Sequence, residues 1–522
     1  MFIKIVIWKD FMVNNDKSNE NDKNIEIIDN DKTNDDTMGT KEDSIKTSDD
    51  IVRPNKDNME NSYEETEGVS TILGDPKKAI LKLSGPMIIA MLITSLYNLI
   101  DGIWVAGLGQ NALAAIGFIT PIFMVVMGFS NGLGAGATSI IARFIGEGDK
   151  RKVDNAGMHI MLLTVIFTII VTTLLLLFLR PILEGLGAGV TMDLALSYGN
   201  IVFAGSIFLV FTAAAYGILR AEGNVKKTTY AMSFGAILNM ILDPIFIYTF
   251  GWGIAGAGIA TVLSMAIVSL IIIYWFRGDT YVNLSLKFFD YSSDILKKIL
   301  NVGIPAGAEF LIIAILVGVL NMILVTVSGA DAVAIYSSGW RVVMIAIVPI
   351  ISVSISAVAV VGASFGARRY ENFEIIQNYS IKIGLLIAVI TAVATFILAP
   401  YIASIFTYSP ETAPLHGLIT DFLRLMALFY IFVPIGAIAS AIFQGVGRGF
   451  DSFMLTAIRE LLLIIVFAYI LAIPLGLGQQ GVWWGIVVGN IIGSIIAFVW
   501  SKLYIKRIIS VKGGDNENFN NI

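Results

Sequence analysis

Gly85-Pro-Met-Ile-Ile-Ala-Met-Leu-Ile-Thr-Ser-Leu-Tyr97-Asn-Leu-Ile-Asp101-Gly-Ile-Trp-Val-Ala106 decides the fold class. The stretch holds one Asp and no Lys, Arg, His or Glu, and its apolar residues occupy every side of a helix. A helix apolar all round is buried in protein or in lipid. About 20 such residues cross a hydrocarbon core of about 30 Å. Eleven further runs of this kind follow, near 113–142, 156–179, 194–219, 228–250, 254–276, 303–327, 333–364, 376–399, 416–443, 453–474 and 481–505. The chain is 56% hydrophobic and 14% charged, with a mean hydropathy of +0.78. A soluble domain carries roughly 25% charged residues, so the expected class is an all-α integral membrane protein of twelve transmembrane helices.

Charge is unevenly placed. Residues 1–75 hold 19 Asp and Glu against 9 Lys and Arg, and the remaining chain holds 21 against 26. A segment so polar and acidic buries too little surface to offset its ordering entropy, and residues 1–76 read as a disordered acidic cytoplasmic tail. Its opening run, Phe2–Trp8, is too short for a signal-peptide core. No basic stripe with interleaved aromatics supports nucleic-acid binding. The absence of Cys removes disulfides, thiolate catalysis and thiolate-bound metal. His159 and His416 are too few and too far apart for a His-based centre and read as helix-face or helix-end residues.

Alternate polar breaks between spans are basic. Arg143, Lys150, Arg151 and Lys152 fill one; Arg220, Lys226 and Lys227 another; then Arg277, Lys287, Lys297 and Lys298; then Arg368 and Arg369; then Arg448. Intervening breaks such as 107–112, 251–253, 328–332 and 475–480 carry no Lys or Arg. The positive-inside rule puts the basic breaks and both termini in the cytoplasm of a cell membrane and requires an even number of spans. The chain also repeats itself: Gly109-Gln-Asn-Ala-Leu-Ala-Ala-Ile returns as Gly329-Ala-Asp-Ala-Val-Ala-Ile-Tyr. Gly146 is answered by Gly366, Gly223 by Gly447, and Gly253-Ile-Ala-Gly256 by Gly478-Gln-Gln-Gly481. This predicts two six-helix pseudo-symmetric lobes, at 77–276 and 303–507. A linker at 277–302 joins them, its Leu284, Phe288, Phe289, Ile295 and Ile299 forming an amphipathic piece at the membrane interface. A short cytoplasmic tail spans 508–522. Parallel halves of this kind enclose a substrate path and alternate its access, and two fused lobes make a monomer sufficient.

Charged side chains inside a span cost about 2.5–3.5 kcal/mol each on insertion scales. The candidates are Asp101, Asp243, Glu309, Arg341, Arg459 and Glu460. Asp101 and Asp243 lie about sixteen and fifteen residues into spans that start in the cytoplasm, so both reach roughly 23 Å up, in the outer half. Thr261 descends to a similar level. Tyr97 with Asp101, and Asn239 with Asp243, are i,i+4 pairs on one helix face. If the faces meet, two carboxylates, an amide, a phenol and a hydroxyl share one pocket. A bound proton or Na⁺ would resolve the carboxylate repulsion there, with Asp101, Asn239, Asp243 and Thr261 as hard oxygen ligands. Pro244 cannot donate to the carbonyl of Met240 and is expected to kink the fifth span. Glu309 and Arg341 are secondary candidates, one near the start of span seven and one able to snorkel or pair with a carboxylate. Arg459 and Glu460 read as an anchoring pair near the cytoplasmic face. Gly132-Leu-Gly134-Ala-Gly136 lacks the strand–helix setting and Lys of a phosphate loop and reads as a helix-packing stripe.

These motifs together resemble the multidrug and toxic compound extrusion (MATE) transporters. The resemblance covers about 77–507 and rests on Leu96-Tyr97-Asn-Leu-Ile-Asp101-Gly-Ile-Trp104, Ala142-Arg-Phe-Ile-Gly146-Glu-Gly148, Leu219-Arg-Ala-Glu-Gly223, Asn239-Met-Ile-Leu-Asp243-Pro244 and Gly253-Ile-Ala-Gly256-Ala-Gly258-Ile-Ala-Thr261. It implies two lobes forming a V that opens to either side in turn, and export of amphipathic, often cationic organic molecules in exchange for Na⁺ or H⁺. It further implies the DinF-like branch, in which Tyr97, Asp101, Asn239, Asp243 and Thr261 form an N-lobe cation-linked site. In another branch, C-lobe acids carry the coupling. Here span ten has only Asp421, near its outer end, which favours the N-lobe.

The competing reading is a flippase of lipid-linked oligosaccharide or polysaccharide from the same wider superfamily. Such a carrier is expected to line its cavity with several bases for pyrophosphate, and Arg341 is the only deep one. No nucleophile–base pair, metal set or nucleotide motif supports an enzyme. No cofactor is expected beyond the coupling ion.

Overall fold

The computed structural model describes residues 66–512 except 409 and 411. The expectations for residues 1–65 and 513–522 lie outside the described residues.

Long apolar runs with polar breaks become long helices. A short α1, Glu67–Leu73, precedes α2, Pro76–Ala106. The Asp75 side chain caps α2 by accepting the Lys78 N–H at 2.9 Å, and Pro76 opens the helix where a missing N–H costs nothing. Then come α3, Gln110–Gly146; α4, Lys150–Gly185; α5, Met192–Ala204; α6, Ser206–Ala221; α7, Val225–Pro244; and α8, Gly253–Trp275. The second half contains α9, Ser293–Gly366; α10, Asn372–Phe406; α11, His416–Gly445; α12, Gly449–Thr456; α13, Ile464–Ala472; and α14, Gly478–Lys512.

These helices make twelve crossings. The pair α5 and α6 is one span bent by 47°, where Ala204-Gly205-Ser206 breaks what the sequence reads as one run; such small-residue pairs are common kink sites. The helix α9 is two spans joined at Gly329, whose φ of 75° and ψ of −168° are open essentially to glycine alone. Gly109, between α2 and α3, adopts φ 97° and ψ 176°. Gly223 and Gly447 have φ of 74° and 86°, and Gly253 and Gly478 have 53° and 58°. The halves repeat in backbone as they do in sequence.

Three sequence expectations need correction. The tail expected up to residue 76 already contains α1, because Val69 and Ile72 bury their side chains against the protein. The linker is not one amphipathic helix: of 277–292 only Leu286–Phe288 are helical, as a single 3₁₀ turn. Its backbone is held to the first half instead: Asp154 accepts the Asn283 N–H at 2.7 Å, Glu222 the Val282 N–H at 3.1 Å, and His159 Nε2 the Ser292 N–H at 3.0 Å. Ile295 and Ile299 are buried in the start of α9. The tail expected from 508 is helical through Lys512.

The two halves meet along the basic ends of α3 and α9. A Cβ on Gly132 would lie 2.3 Å from the Gly303 carbonyl, and one on Gly366 would lie 1.9 Å from that of Arg143. Absent side chains let these backbones touch. The core there mixes Ile140, Ile141 and Phe144 with Val353, Val360 and Val361, and Ser139 Oγ donates to the Gln444 carbonyl. Toward the other face each half has its own core, and Gly102, Gly117 and Gly318 have open space beside them.

Candidate functional site

α2 carries Tyr97 and Asp101 one turn apart, α7 carries Asn239 and Asp243 likewise, and α8 carries Thr261. The structure brings all five together. The Asp101 and Asp243 carboxyls face each other within hydrogen-bonding reach, and the Tyr97 hydroxyl lies beside Thr261. Asn239 and Asp243 are buried, while Asp101, Tyr97 and Thr261 are half-buried. With the Asn239 amide nitrogen turned to Asp243 Oδ2 at 2.8 Å, its oxygen accepts the Thr261 N–H at 3.1 Å. The opposite orientation leaves a 3.4 Å contact to Thr261 Oγ1; satisfying both groups favours the first. Asp243 Oδ1 is buried with no hydrogen-bond donor among the described residues.

Tyr198, on α5, joins the group, close enough to act electrostatically on both carboxyls. Sequence reasoning missed it. Its one signal is depth, four residues from the start of a descending span, and nothing else distinguishes it among 17 Tyr. Two facing carboxyls need a proton between them or a cation beside them. Carboxylate, amide and hydroxyl oxygens suit a hard cation such as Na⁺, and the orphaned Oδ1 is a ligand atom in want of a partner.

Pro244 does not break α7. It stays helical at φ −63° and ψ −29°, and Ile245–Thr249 follow as a π-turn.

The secondary candidates lie elsewhere. Glu309 Oε1 accepts from Ser452 Oγ at 3.0 Å and Gln444 Nε2 at 3.5 Å, in the second half near the seam. Arg341 is exposed, and it has no carboxylate partner among the described residues. Arg459 and Glu460 pair as expected but do not anchor at a surface. Arg459 is buried in a π-turn, Ala457–Leu463, packed on Gly436 and Gly493 with Asn490 Oδ1 at 3.4 Å. His416 Nε2 faces the Pro400 carbonyl at 3.0 Å.

Comparison with known proteins places this architecture. The MatE family profile matches residues 86–245 and 305–470, one stretch in each half. The chain is similar to the multidrug export protein MepA of Staphylococcus aureus, 25% identical over 425 residues, covering 81% of this chain and 92% of that protein. Among solved structures it resembles a multidrug resistance MATE family transporter of the MOP superfamily in its outward-facing conformation, at 40% identity and TM-score 0.84, covering 86% of this chain and 100% of that one. A MOP superfamily transporter from Pyrococcus furiosus matches at 41% identity and TM-score 0.83, over 85% of this chain and 99% of that one. With both halves matched and the fold shared over nearly all of each solved chain, this protein belongs to the MATE family of transporters.

Proposed function

We propose that the protein is a secondary multidrug efflux transporter of the cell membrane. It exports amphipathic, cationic organic molecules in exchange for Na⁺ or H⁺, by alternating access, with both termini in the cytoplasm. The facing carboxyls of Asp101 and Asp243, on helices of one lobe, carry this reading. Closed packing at the basic face and separate cores toward the other support an outward-facing state, given the basic breaks as cytoplasmic. Loading the pair with a cation or proton ties α2 to α7. An ion shifts the lobe only by its differential affinity for the two arrangements, so ion loading and substrate binding oppose each other at this lobe. The match in motif and carboxylate pairing also favours the DinF-like branch, with Tyr97, Asn239 and Thr261 completing the site.

The test is efflux of a fluorescent organic cation from proteoliposomes under imposed Na⁺ or H⁺ gradients, for wild type and Asp101→Asn. Gradient-driven movement lost in the variant supports the reading, and the effective gradient names the ion. Equal transport by the variant overturns the coupling site.

A further inference from the structure

One contact ties α2 to the end of α7 beyond the carboxyl pair. The last carbonyls of a helix have no intrahelical donor. At the end of α2 the Gly107 N–H turns to Ile103, the Leu108 N–H to Val105 and the Gly109 N–H to Ala106. The Trp104 carbonyl is thus passed over by the backbone. Tyr248 supplies the missing donor: its hydroxyl donates to Trp104 O at 2.5 Å, and its ring stands edge-on to the Trp104 indole with centroids 6.1 Å apart. Gly107 makes the room, since a Cβ there would lie 2.2 Å from the Tyr248 hydroxyl oxygen.

The π-turn explains why Tyr248 points this way. In an α-helix the five residues from Asp243 to Tyr248 would turn about 500°, leaving the two side chains about 140° apart. After Pro244 the hydrogen bonds span five residues, with Phe250 N–H on Ile245 O at 2.9 Å. The wider turn brings a five-residue step closer to one full turn than an α-helix would, and Asp243 and Tyr248 both face α2. Asp101 lies three residues before Trp104 on the same helix.

We infer that Tyr248 is a positioning residue, clamping the end of α2 to the π-turn so that Asp101 stays against Asp243 and the pair keeps its affinity for the coupling ion. This rests on the reading of that pair as the coupling site. Tyr248 touches neither carboxyl. The groups that do face them are Tyr97 on α2, Tyr198 on α5, Asn239 on α7 and Thr261 on α8. Tyr248 is 44% exposed, so removing its hydroxyl leaves no buried hole.

Tyr248→Phe, Gly107→Ala and the double variant, in proteoliposomes, test the clamp by titrating transport against the coupling ion. Each single change is expected to raise the half-saturating ion concentration about three- to tenfold, the weight of one hydrogen bond. The maximal rate should stay within about twofold. The double variant should be no worse than either single one, because without the hydroxyl the nearest ring atom, Cζ, lies 3.3 Å from the new methyl. Unchanged half-saturation in Tyr248→Phe, or additive losses in the double variant, overturns the clamp. Asp101→Asn runs alongside: if it still couples, the site reading falls and the clamp with it. If it is dead while Tyr248→Phe titrates as wild type, the clamp alone falls.

Discussion

The first lobe gathers its polar side chains toward the open face, whereas the second gathers them near the closed one. Offsets of 220, 224 and 225 residues relate the repeat glycines of the two halves, 220 serving the opening spans and 224 the stretch after Gly223. They set Asn321 opposite Asp101, Leu463 opposite Asn239 and Phe467 opposite Asp243. Where the first lobe has its carboxyl pair, the second has the neutral Asn321 amid apolar and aromatic side chains: Tyr336 stacks on Trp340 at 5.5 Å and Phe422 meets Trp483 at 5.4 Å. Its own polar group, Glu309 with Gln444, Ser452, Arg459 and Glu460, sits by the seam. Each group adjoins a π-turn, Ile245–Thr249 after Asp243 and Ala457–Leu463 around Arg459. The repeat therefore preserves what the backbone requires, namely positive φ at matching turns, and leaves the chemistry free to diverge. On the proposed coupling, one lobe handles the ion while the other stays a packed partner.

The strongest challenge to this contrast exchanges acids for amides. Asp101→Asn or Asp243→Asn is expected to lower gradient-driven efflux about 100-fold or more, the scale of losing one member of a buried, mutually dependent pair. Glu309→Gln keeps an acceptor for Ser452 and should cost no more than about fivefold. A dead but folded Glu309→Gln would move the coupling to the second lobe.

Next in size is the seam. Gly366→Leu places a side chain against the Arg143 backbone and should cut turnover by about tenfold, since overpacking costs about 1–3 kcal/mol. Gly318→Ala, which meets only open space, should stay within about twofold. Equal losses in the same efflux assay would deny that the lobes close only at the basic face.

A smaller difference concerns the linker. Burial pushes the Glu222 carboxyl up to about 7, with the Val282 N–H and Lys227 pulling only partly back; its counterpart in the second half is Val446. A carboxyl raised in the fold favours the protonated form. Its stabilising effect is fully present below about 4.5 and is lost as pH rises through about 7, on the order of 3–4 kcal/mol in all. Glu222→Gln should therefore unfold near the wild-type temperature at pH 5 and at a higher temperature at pH 8. Parallel pH profiles of Tm in detergent would contradict this.

The smallest effect lies at Arg368, the one non-glycine residue at positive φ among the described residues, 57°. Its counterpart in the first half is Gly148, at 72°. Arg368→Gly should relieve strain and stabilise by no more than about 1 kcal/mol, because glycine also loosens the unfolded chain. A drop in Tm would mean that the guanidinium holds something its backbone strain conceals.

By itself the sequence determined the membrane class, the twelve crossings and the duplicated halves. Those follow from apolar length, alternating basic breaks and glycines whose backbone angles no other residue adopts easily. It also singled out Asp101, Asp243, Asn239, Tyr97 and Thr261, because depth along a helix and i,i+4 spacing are one-dimensional quantities. Tyr198 escaped because its approach depends on how α5 bends at Gly205 and leans on its neighbours. The bend itself, the docking of α1 and the holding of the linker by Asp154, Glu222 and His159 were decided by tertiary packing, where burial and hydrogen-bond satisfaction outweigh local pattern. So was the direction of Tyr248. Proline at 244 announces a disturbed ladder, but only the packed helices decide that the disturbance is a π-turn whose phenol reaches the carbonyl α2 leaves open.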